Sequence, residues 1–211
     1  MTDSHDYTAM YRQQVLAKLC KAWPRFAGGF EAFDETRRPE YPALKAQAVA
    51  WADGFSTETT RGWYAAGRNG CGKTHLAYAT AKRLIERGYY DVHIFEVVSL
   101  LQDVKDSWSE PGFSEGAFFR ALVESDLVIL DDLGSEKASD WSLGVLFSFI
   151  NSLNRAKKPL IVTSNYSGKE LLARPVWQSD GQRVVSRLAA MCEPLGPWPK
   201  IDQRIEEAKK A

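Results

Sequence analysis

The sequence predicts an α/β protein in which helices cover both faces of a parallel sheet. Short apolar runs such as Leu127-Val-Ile-Leu130 and Pro159-Leu-Ile-Val-Thr163 are typical of parallel strands that are buried on both faces. These runs alternate with segments of helical length and periodicity, which is the order that builds strand–helix–strand units. A chain of 211 residues has room for one such domain and a modest appendage.

Composition argues against several other classes of protein. Lys and Arg together number 27, as do Asp and Glu, so no overall basic field indicates nucleic acid and any such contact needs a local patch. The cysteines, Cys20, Cys71 and Cys192, form no C-x-x-C pair, which argues against a zinc site or a disulfide framework. No segment approaches the roughly 20 apolar residues of a membrane span. We therefore expect a cytoplasmic protein without membrane contact.

The predicted elements follow one another in a regular order. Helices are predicted over residues 7–23, 43–53, 75–85, 99–108, 114–124, 140–154 and 182–188, and strands over residues 61–66, 91–97, 127–130 and 159–163. A linker from Arg25 to Pro42 carries phenylalanines that we expect to anchor it on a surface. We divide the chain into a short helical extension, residues 1–27, and a core, residues 28–211. The extension either binds a partner or packs on its own domain.

Residues 67–74 carry the pattern G-x-x-x-x-G-K-[ST] of a phosphate-binding loop. Glycines in the loop let the backbone turn tightly and aim its N–H groups at a phosphate. Lys73 supplies a charge for the β- and γ-phosphates, and the Thr74 hydroxyl can ligate Mg²⁺. A plausible strand precedes the loop and a plausible helix follows it. We predict that a nucleoside triphosphate is bound by Gly67, Arg68, Asn69, Gly70, Cys71, Gly72, Lys73, Thr74 and His75.

Two acids follow the apolar run at residues 127–130. Asp131 stands where a phosphate-loop protein places its second metal-site residue, and we expect it to hold Mg²⁺ through a water beside Thr74. Asp132 is expected to orient or deprotonate the attacking water. Because aspartate is one methylene shorter than glutamate, hydrolysis is expected to be slow, and Glu136 is a nearby substitute. An ordinary helix cap is the alternative for the pair.

Two further segments carry polar groups suited to the same chemistry. Asn165 ends the strand after the acids, and an amide at that tip can hydrogen-bond the γ-phosphate or the water, although asparagine is also a common turn residue. Arg183 and Arg187 are four residues apart and so share one helix face. An arginine from a neighbouring subunit accelerates phosphoryl transfer by about 10³- to 10⁵-fold. Two ordinary surface arginines are the alternative.

These motifs, taken together and in this order, resemble the DnaC/IstB-type ATPases of the AAA+ class. The matching segments are Gly72-Lys-Thr-His-Leu-Ala77, Ile129-Leu-Asp-Asp-Leu-Gly134, Thr163-Ser-Asn165 and Val185-Ser-Arg-Leu188, preceded by a linker-like Gly29-Phe-Glu-Ala-Phe33. The resemblance implies an AAA+ P-loop NTPase fold that binds ATP. It also implies Walker roles for Lys73, Thr74, Asp131 and Asp132, a sensor-I role for Asn165, and an arginine-finger role for Arg187 toward the next protomer. No separate C-terminal DNA-binding domain is expected.

The resemblance also implies partners. Members of the family load a replicative helicase onto single-stranded DNA during replication initiation, which is our primary expectation, or assist a transposase, which is the alternative. Self-association through the ATP sites is expected in either case. A P-loop kinase and a nucleotide-binding module that scarcely hydrolyses are further alternatives. Stacking on single-stranded DNA would suit Lys105, Trp108, Phe118, Phe119 and Arg120, although aromatic residues at helical spacing are more often part of a core.

Overall fold

The computed structural model describes residues 3–107, 114–178 and 180–199. The strands in these ranges are β1 Gly62–Ala66, β2 Val92–Glu96, β3 Leu127–Leu133, β4 Leu160–Ser164 and β5 Cys192–Pro194. The helices are α1 Asp3–Ala22, α2 Tyr41–Gly54, α3 Lys73–Glu86, α4 Val97–Ser107, α5 Glu115–Val123, α6 Asp140–Arg155, α7 Gly168–Leu172 and α8 Gly181–Met191. The strands form one parallel sheet in the order β2-β3-β4-β1-β5.

Helices cover both faces of this sheet, and the side chains of β3 show this. Successive side chains of a strand point to opposite faces. Leu127 and Ile129 pack into a cluster with residues of α2 and α3, whereas Val128 and Leu130 pack into a second cluster with residues of α4, α5, α6 and α8. This three-layer arrangement confirms the predicted α/β fold with a sheet between helices.

Most predicted elements are present with shifted ends, but two short ones were missed. Helix α7 begins with a capping box in which the side chains of Ser167 and Glu170 each bond the other residue's backbone N–H, a sequence signal that could have been found. Strand β5 is three residues long and pairs with β1, with Gly62 opposite Cys192. Because β5 depends on that pairing rather than on a local pattern, no residue pattern indicated it.

The N-terminal segment packs against the core. Phe30 and Phe33 of the linker are buried among core side chains, as expected for anchors. The ring of Trp23, just after α1, lies 4.7 Å from the ring of Tyr78 on α3. The described end of this extension therefore packs on its own domain, which is one of the two alternatives expected for it, while partner binding stays a prediction. Within the described ranges, no helix has both the length and the apolar character that crossing a bilayer requires.

Candidate functional site

A cleft of about 850 Å³ lies above the ends of β1, β3 and β4. These three strands are neighbours in a parallel sheet, so the segments that follow them meet at one edge. Predicted site residues that line the cleft are Asn69, Gly70, Gly72, Lys73, Thr74, His75, Asp131, Asp132 and Asn165. The topology therefore brings together groups that are up to 96 positions apart in the chain, from Asn69 to Asn165.

The phosphate-binding loop has the backbone that its glycines allow. Gly70 and Gly72 have φ values of 73° and 94°, in the left-handed region where other residues are strained. A Cβ atom added at Gly72 would also lie 2.8 Å from the Phe33 ring. Helix α3 begins at Lys73, so the positive end of its dipole is at the loop. This combination suits a phosphate group.

Lys73 lies buried at the base of the loop. Its Nζ donates to the carbonyl oxygens of Gly67 at 2.7 Å and Arg68 at 2.9 Å, and to Oδ1 of Asn165 at 3.1 Å. The ammonium group has three donors, and its Nζ also lies 3.9 Å from the Cys71 sulfur. Burial lowers the pKa of Lys73. Gly67 and Arg68 therefore act here through their carbonyls, while the Cys71 side chain is buried beneath the loop rather than facing the cleft.

The predicted metal residues are in direct contact. Thr74 Oγ1 donates to Oδ1 of Asp131 at 2.9 Å, and Thr163 Oγ1 donates to the same oxygen at 2.5 Å. Burial raises the pKa of Asp131, and the hydrogen bonds from the two threonines oppose that effect. A carboxylate and a hydroxyl beside a phosphate-binding loop are oxygen donors of the kind that Mg²⁺ takes, with phosphates and waters completing its shell. The residues present therefore fit a Mg²⁺ ion.

Asn165 links the loop to the second acid. Its Nδ2 donates to Oδ1 of Asp132 at 3.0 Å, while its Oδ1 accepts the bond from Lys73. Asp132 itself has a φ of 59°, which is uncommon for a residue other than glycine and is often associated with functional sites. One amide thus stands between the cation of the loop and a carboxylate in the cleft.

Glu136 occupies a different environment. Its carboxyl is buried in the turn after β3, where Oε2 accepts the N–H of Gly134 at 2.7 Å. Burial raises the pKa of Glu136. The side chain is not among those that line the cleft, so the geometry does not support Glu136 as a substitute for Asp132.

Arg187 lies away from the cleft of its own chain. Its Nε donates to Oδ1 of Asn151 at 3.0 Å, which joins α8 to α6. The guanidinium carbons of Arg183 and Arg187 lie 3.7 and 6.0 Å from the ring centroid of Phe147. Neither arginine is among the described residues that line the cleft. A role in ATP hydrolysis would therefore have to be exerted on another protomer, as the resemblance implies.

A second wall of the cleft was missed in the sequence. It is formed by residues of the linker and the end of α1, including Trp23, Phe26 and Phe33. His75 braces this wall: its ring lies 5.3 Å from those of both Phe26 and Phe33, and its Nε2 donates to the Gly29 carbonyl at 2.8 Å. The aromatic spacing in the linker was the available signal. Aromatic side chains beside a phosphate loop can accept a flat nucleobase.

The residues predicted to stack on DNA are not all available for it. Phe119 is 3% exposed, and its ring centroid lies 5.1 Å from that of Phe149. Phe119 is therefore a core residue, and the expectation that its ring stacks on DNA is wrong. Phe118 is half-buried and packs on Phe119 and Phe95. Trp108 lies outside the described residues. Lys105 and Arg120 are exposed, and their contact with DNA stays a prediction.

Comparison with known proteins identifies relatives of this chain. Residues 13–174 match the family described as IstB-like ATP binding protein. The replicative helicase loader DnaC of Escherichia coli is 27% identical over 122 residues, which cover 58% of this chain and 47% of that protein. A protein of a Mycobacterium tuberculosis insertion sequence, named as ATP-binding, is 28% identical over 139 residues, or 64% of this chain and 52% of its own. This chain thus spans about half the length of these curated relatives.

Solved structures show the same fold. A crystal structure of the DnaC helicase loader has a TM-score of 0.70 and 26% identity, covering 83% of this chain and 97% of that chain. The replication initiator DnaA bound to AMPPCP and single-stranded DNA has a TM-score of 0.64 and 20% identity, covering 80% of this chain and 49% of that chain, which bears on the fold alone. The predicted AAA+ fold is confirmed.

Proposed function

This chain belongs to the IstB-like ATP-binding protein family, and from that premise we propose that it is an ATPase that delivers a replicative helicase to single-stranded DNA. The observation that carries the ATPase part is the amide of Asn165, which contacts both Lys73 and Asp132 in a single cleft. Phosphoryl transfer needs a cation at the transferred phosphate and an oriented nucleophile on its far side. These three side chains have the chemistry for both tasks.

Each residue of the cleft then has a task in hydrolysis. Lys73 binds the β- and γ-phosphates, and Thr74 and Asp131 hold Mg²⁺, which neutralises phosphate charge when bound. Asp132 orients the attacking water or accepts its proton. Asn165 donates to the γ-phosphate or the water in exchange for its contact with Asp132. Because the carboxylate of Asp132 is short, turnover is slow and rises when a partner completes the site.

Completion of the site requires a second protomer. Arg187 is held by Asn151 on the α6–α8 side of the molecule and does not line its own cleft. We assign it to the γ-phosphate of the neighbouring subunit, where a cation stabilises the charge of the transition state. Self-association through the ATP sites follows from this assignment, because an isolated protomer lacks the arginine.

The choice of partner rests on relatives. The E. coli relative is named as a replicative helicase loader. In the crystal structure of the DnaC helicase loader, the region similar to this chain covers 97% of that chain. We propose that residues 1–27 contribute to the helicase contact and that residues 28–211 form the ATPase core. The protein would act in the cytoplasm, where free thiols such as Cys20 stay reduced.

A transposition helper is the second candidate. The observation that favours it is the relative from an insertion sequence, which is as similar to this chain as the helicase loader is. In this alternative the same ATPase core delivers target DNA to a transposase. The site chemistry is identical in the two candidates, so only the partner separates them.

Phosphate release by purified protein tests the ATPase proposal. The variant Lys73→Ala should lose ATP binding and turnover, since the buried cation at the phosphate loop is removed. The matched control is Lys82→Ala on the same helix, which removes a lysine that pairs with Glu86 away from the strand ends. Normal turnover by Lys73→Ala would contradict the proposal.

Partner choice needs a separate measurement. Purified protein with ATP should retain a replicative helicase in a pull-down, and single-stranded DNA should raise its turnover. Retention of the transposase instead would favour the transposition helper. A variant that lacks residues 1–18 should lose helicase retention while still binding ATP, because it keeps Trp23 and Phe26 of the cleft wall.

A further inference from the structure

We propose that Thr163 is a positioning residue that holds both acids of the cleft, Asp131 and Asp132, in their working places. This inference rests on the proposed ATPase function and adds to it a residue on β4 that no ligand need touch. Three observations carry it: an irregular register between β3 and β4, the hydrogen bonds of one hydroxyl, and the complete burial of that hydroxyl's residue.

The register shows why two consecutive acids can face one cleft. Leu130 is paired with Val162, and Leu133 is paired with Ser164. Asp131 and Asp132 therefore stand opposite the single residue Thr163, which is the arrangement of a β-bulge. In a regular strand their side chains would point to opposite faces of the sheet, yet both line the cleft. The bulge is what brings the second carboxylate to the same side.

The Thr163 hydroxyl makes the bonds that this bulge requires. A bulge disrupts the local backbone ladder, and the N–H of Asp132 donates to Thr163 Oγ1 at 2.9 Å. The same hydroxyl donates its proton to Oδ1 of Asp131 at 2.5 Å. A hydroxyl has one donor and two acceptor sites, so it can make both bonds at once. One side chain thus fixes the backbone of one acid and the carboxylate of the other.

Burial makes this arrangement costly to lose. Thr163 is 0% exposed, so water cannot readily replace the hydroxyl as partner of Asp132 N–H. Oδ1 of Asp131 also accepts from Thr74, so the carboxylate is held from β4 on one side and from the phosphate loop on the other. Groups that orient a metal ligand in this way typically change metal affinity or activity by about 10- to 100-fold when they are removed.

The test compares Thr163→Val with Thr163→Ser. Valine keeps the shape but removes the hydroxyl, whereas serine keeps the hydroxyl. The matched control is Thr80→Val, because Thr80 is also 0% exposed but its hydroxyl donates to the Leu76 carbonyl within α3. The readouts are the Mg²⁺ concentration that half-maximally tightens binding of a fluorescent ATP analogue, binding of that analogue in EDTA, and kcat and KM for ATP.

We expect Thr163→Val to raise the Mg²⁺ midpoint by about 10- to 100-fold and to lower kcat by a similar factor. Binding in EDTA should stay within about threefold of wild type, since metal-free binding does not use the Asp131 carboxylate. Thr163→Ser and Thr80→Val should match wild type. In an Asp131→Asn background, Thr163→Val should add little to the Mg²⁺ effect, because both changes act through one carboxylate.

Several outcomes would overturn the inference. The inference is wrong if Thr163→Val leaves the Mg²⁺ midpoint and kcat unchanged. It is also wrong if the effects of Thr163→Val and Asp131→Asn are additive, or if wild type binds the ATP analogue independently of Mg²⁺. If Thr163→Val does not fold, Thr163→Cys is compared with Thr163→Ser, because a thiol is a weak hydrogen-bond donor. Equal Mg²⁺ midpoints and kcat values in these two variants would overturn the inference. A wild type that binds ATP with Mg²⁺ without turnover refutes the ATPase proposal alone, and the Mg²⁺ midpoints still decide the role of Thr163.

Discussion

Replacing Asn165 by alanine should slow ATP hydrolysis far more than it weakens ATP binding. The amide donates to Asp132 at 3.0 Å and accepts from Lys73 at 3.1 Å. Loss of a donor that acts on the reacting groups costs about 10²- to 10³-fold in kcat. Lys73 keeps its bonds to two loop carbonyls in the variant, so only one hydrogen bond of the loop is lost. Loss of the one hydrogen bond that the amide makes to bound ATP is worth about 1 kcal/mol, or roughly fivefold in affinity.

The assay separates the two effects. Single-turnover phosphate release measures the chemical step, and titration with a fluorescent ATP analogue measures binding. The variant Asn154→Ala is the matched control, because Asn154 is a partly exposed amide on α6 that does not line the cleft. Equal losses of binding and turnover in Asn165→Ala, or no loss of turnover, would refute the reasoning from the bridging amide.

The remaining predictions concern Arg187 and Glu136. Arg187→Ala should lower turnover by about 10³-fold or more while ATP binding persists. Activity should partly return when this variant is mixed with Lys73→Ala, because each protomer supplies what the other lacks. Arg183→Ala is the matched control, and a mixture without recovery would contradict action across protomers. Glu136→Gln should gain stability relative to wild type as the pH rises, because the amide carries no charge to bury. Burial raises the pKa of Glu136 in the folded state, so this carboxyl favours folding most when it is protonated. That contribution to stability is lost as the pH rises from the unfolded-state pKa of about 4.3 through the folded-state pKa. Urea unfolding between pH 5 and pH 8 should show the variant's advantage growing with pH, and an advantage independent of pH would contradict this cause.

The sequence by itself determined the type of fold and the chemistry of the loop. Both are local properties. The apolar run at residues 127–130 is readable as a strand buried on both faces, and the loop at residues 67–74 works through its own glycine backbone and its own lysine. Helix α1 ends just before Pro24 for an equally local reason, since proline cannot continue a helix.

Only the tertiary structure decided how these parts meet. The order of the strands puts β4 between β1 and β3, so Asn165 reaches both Lys73 and Asp132. The bulge opposite Thr163 and the linker wall over the cleft depend on partners about 30 to 50 positions away, such as Thr163 for Asp131 and Gly29 for His75. Such pairings are fixed by packing between distant segments, and no local pattern of residues encodes them.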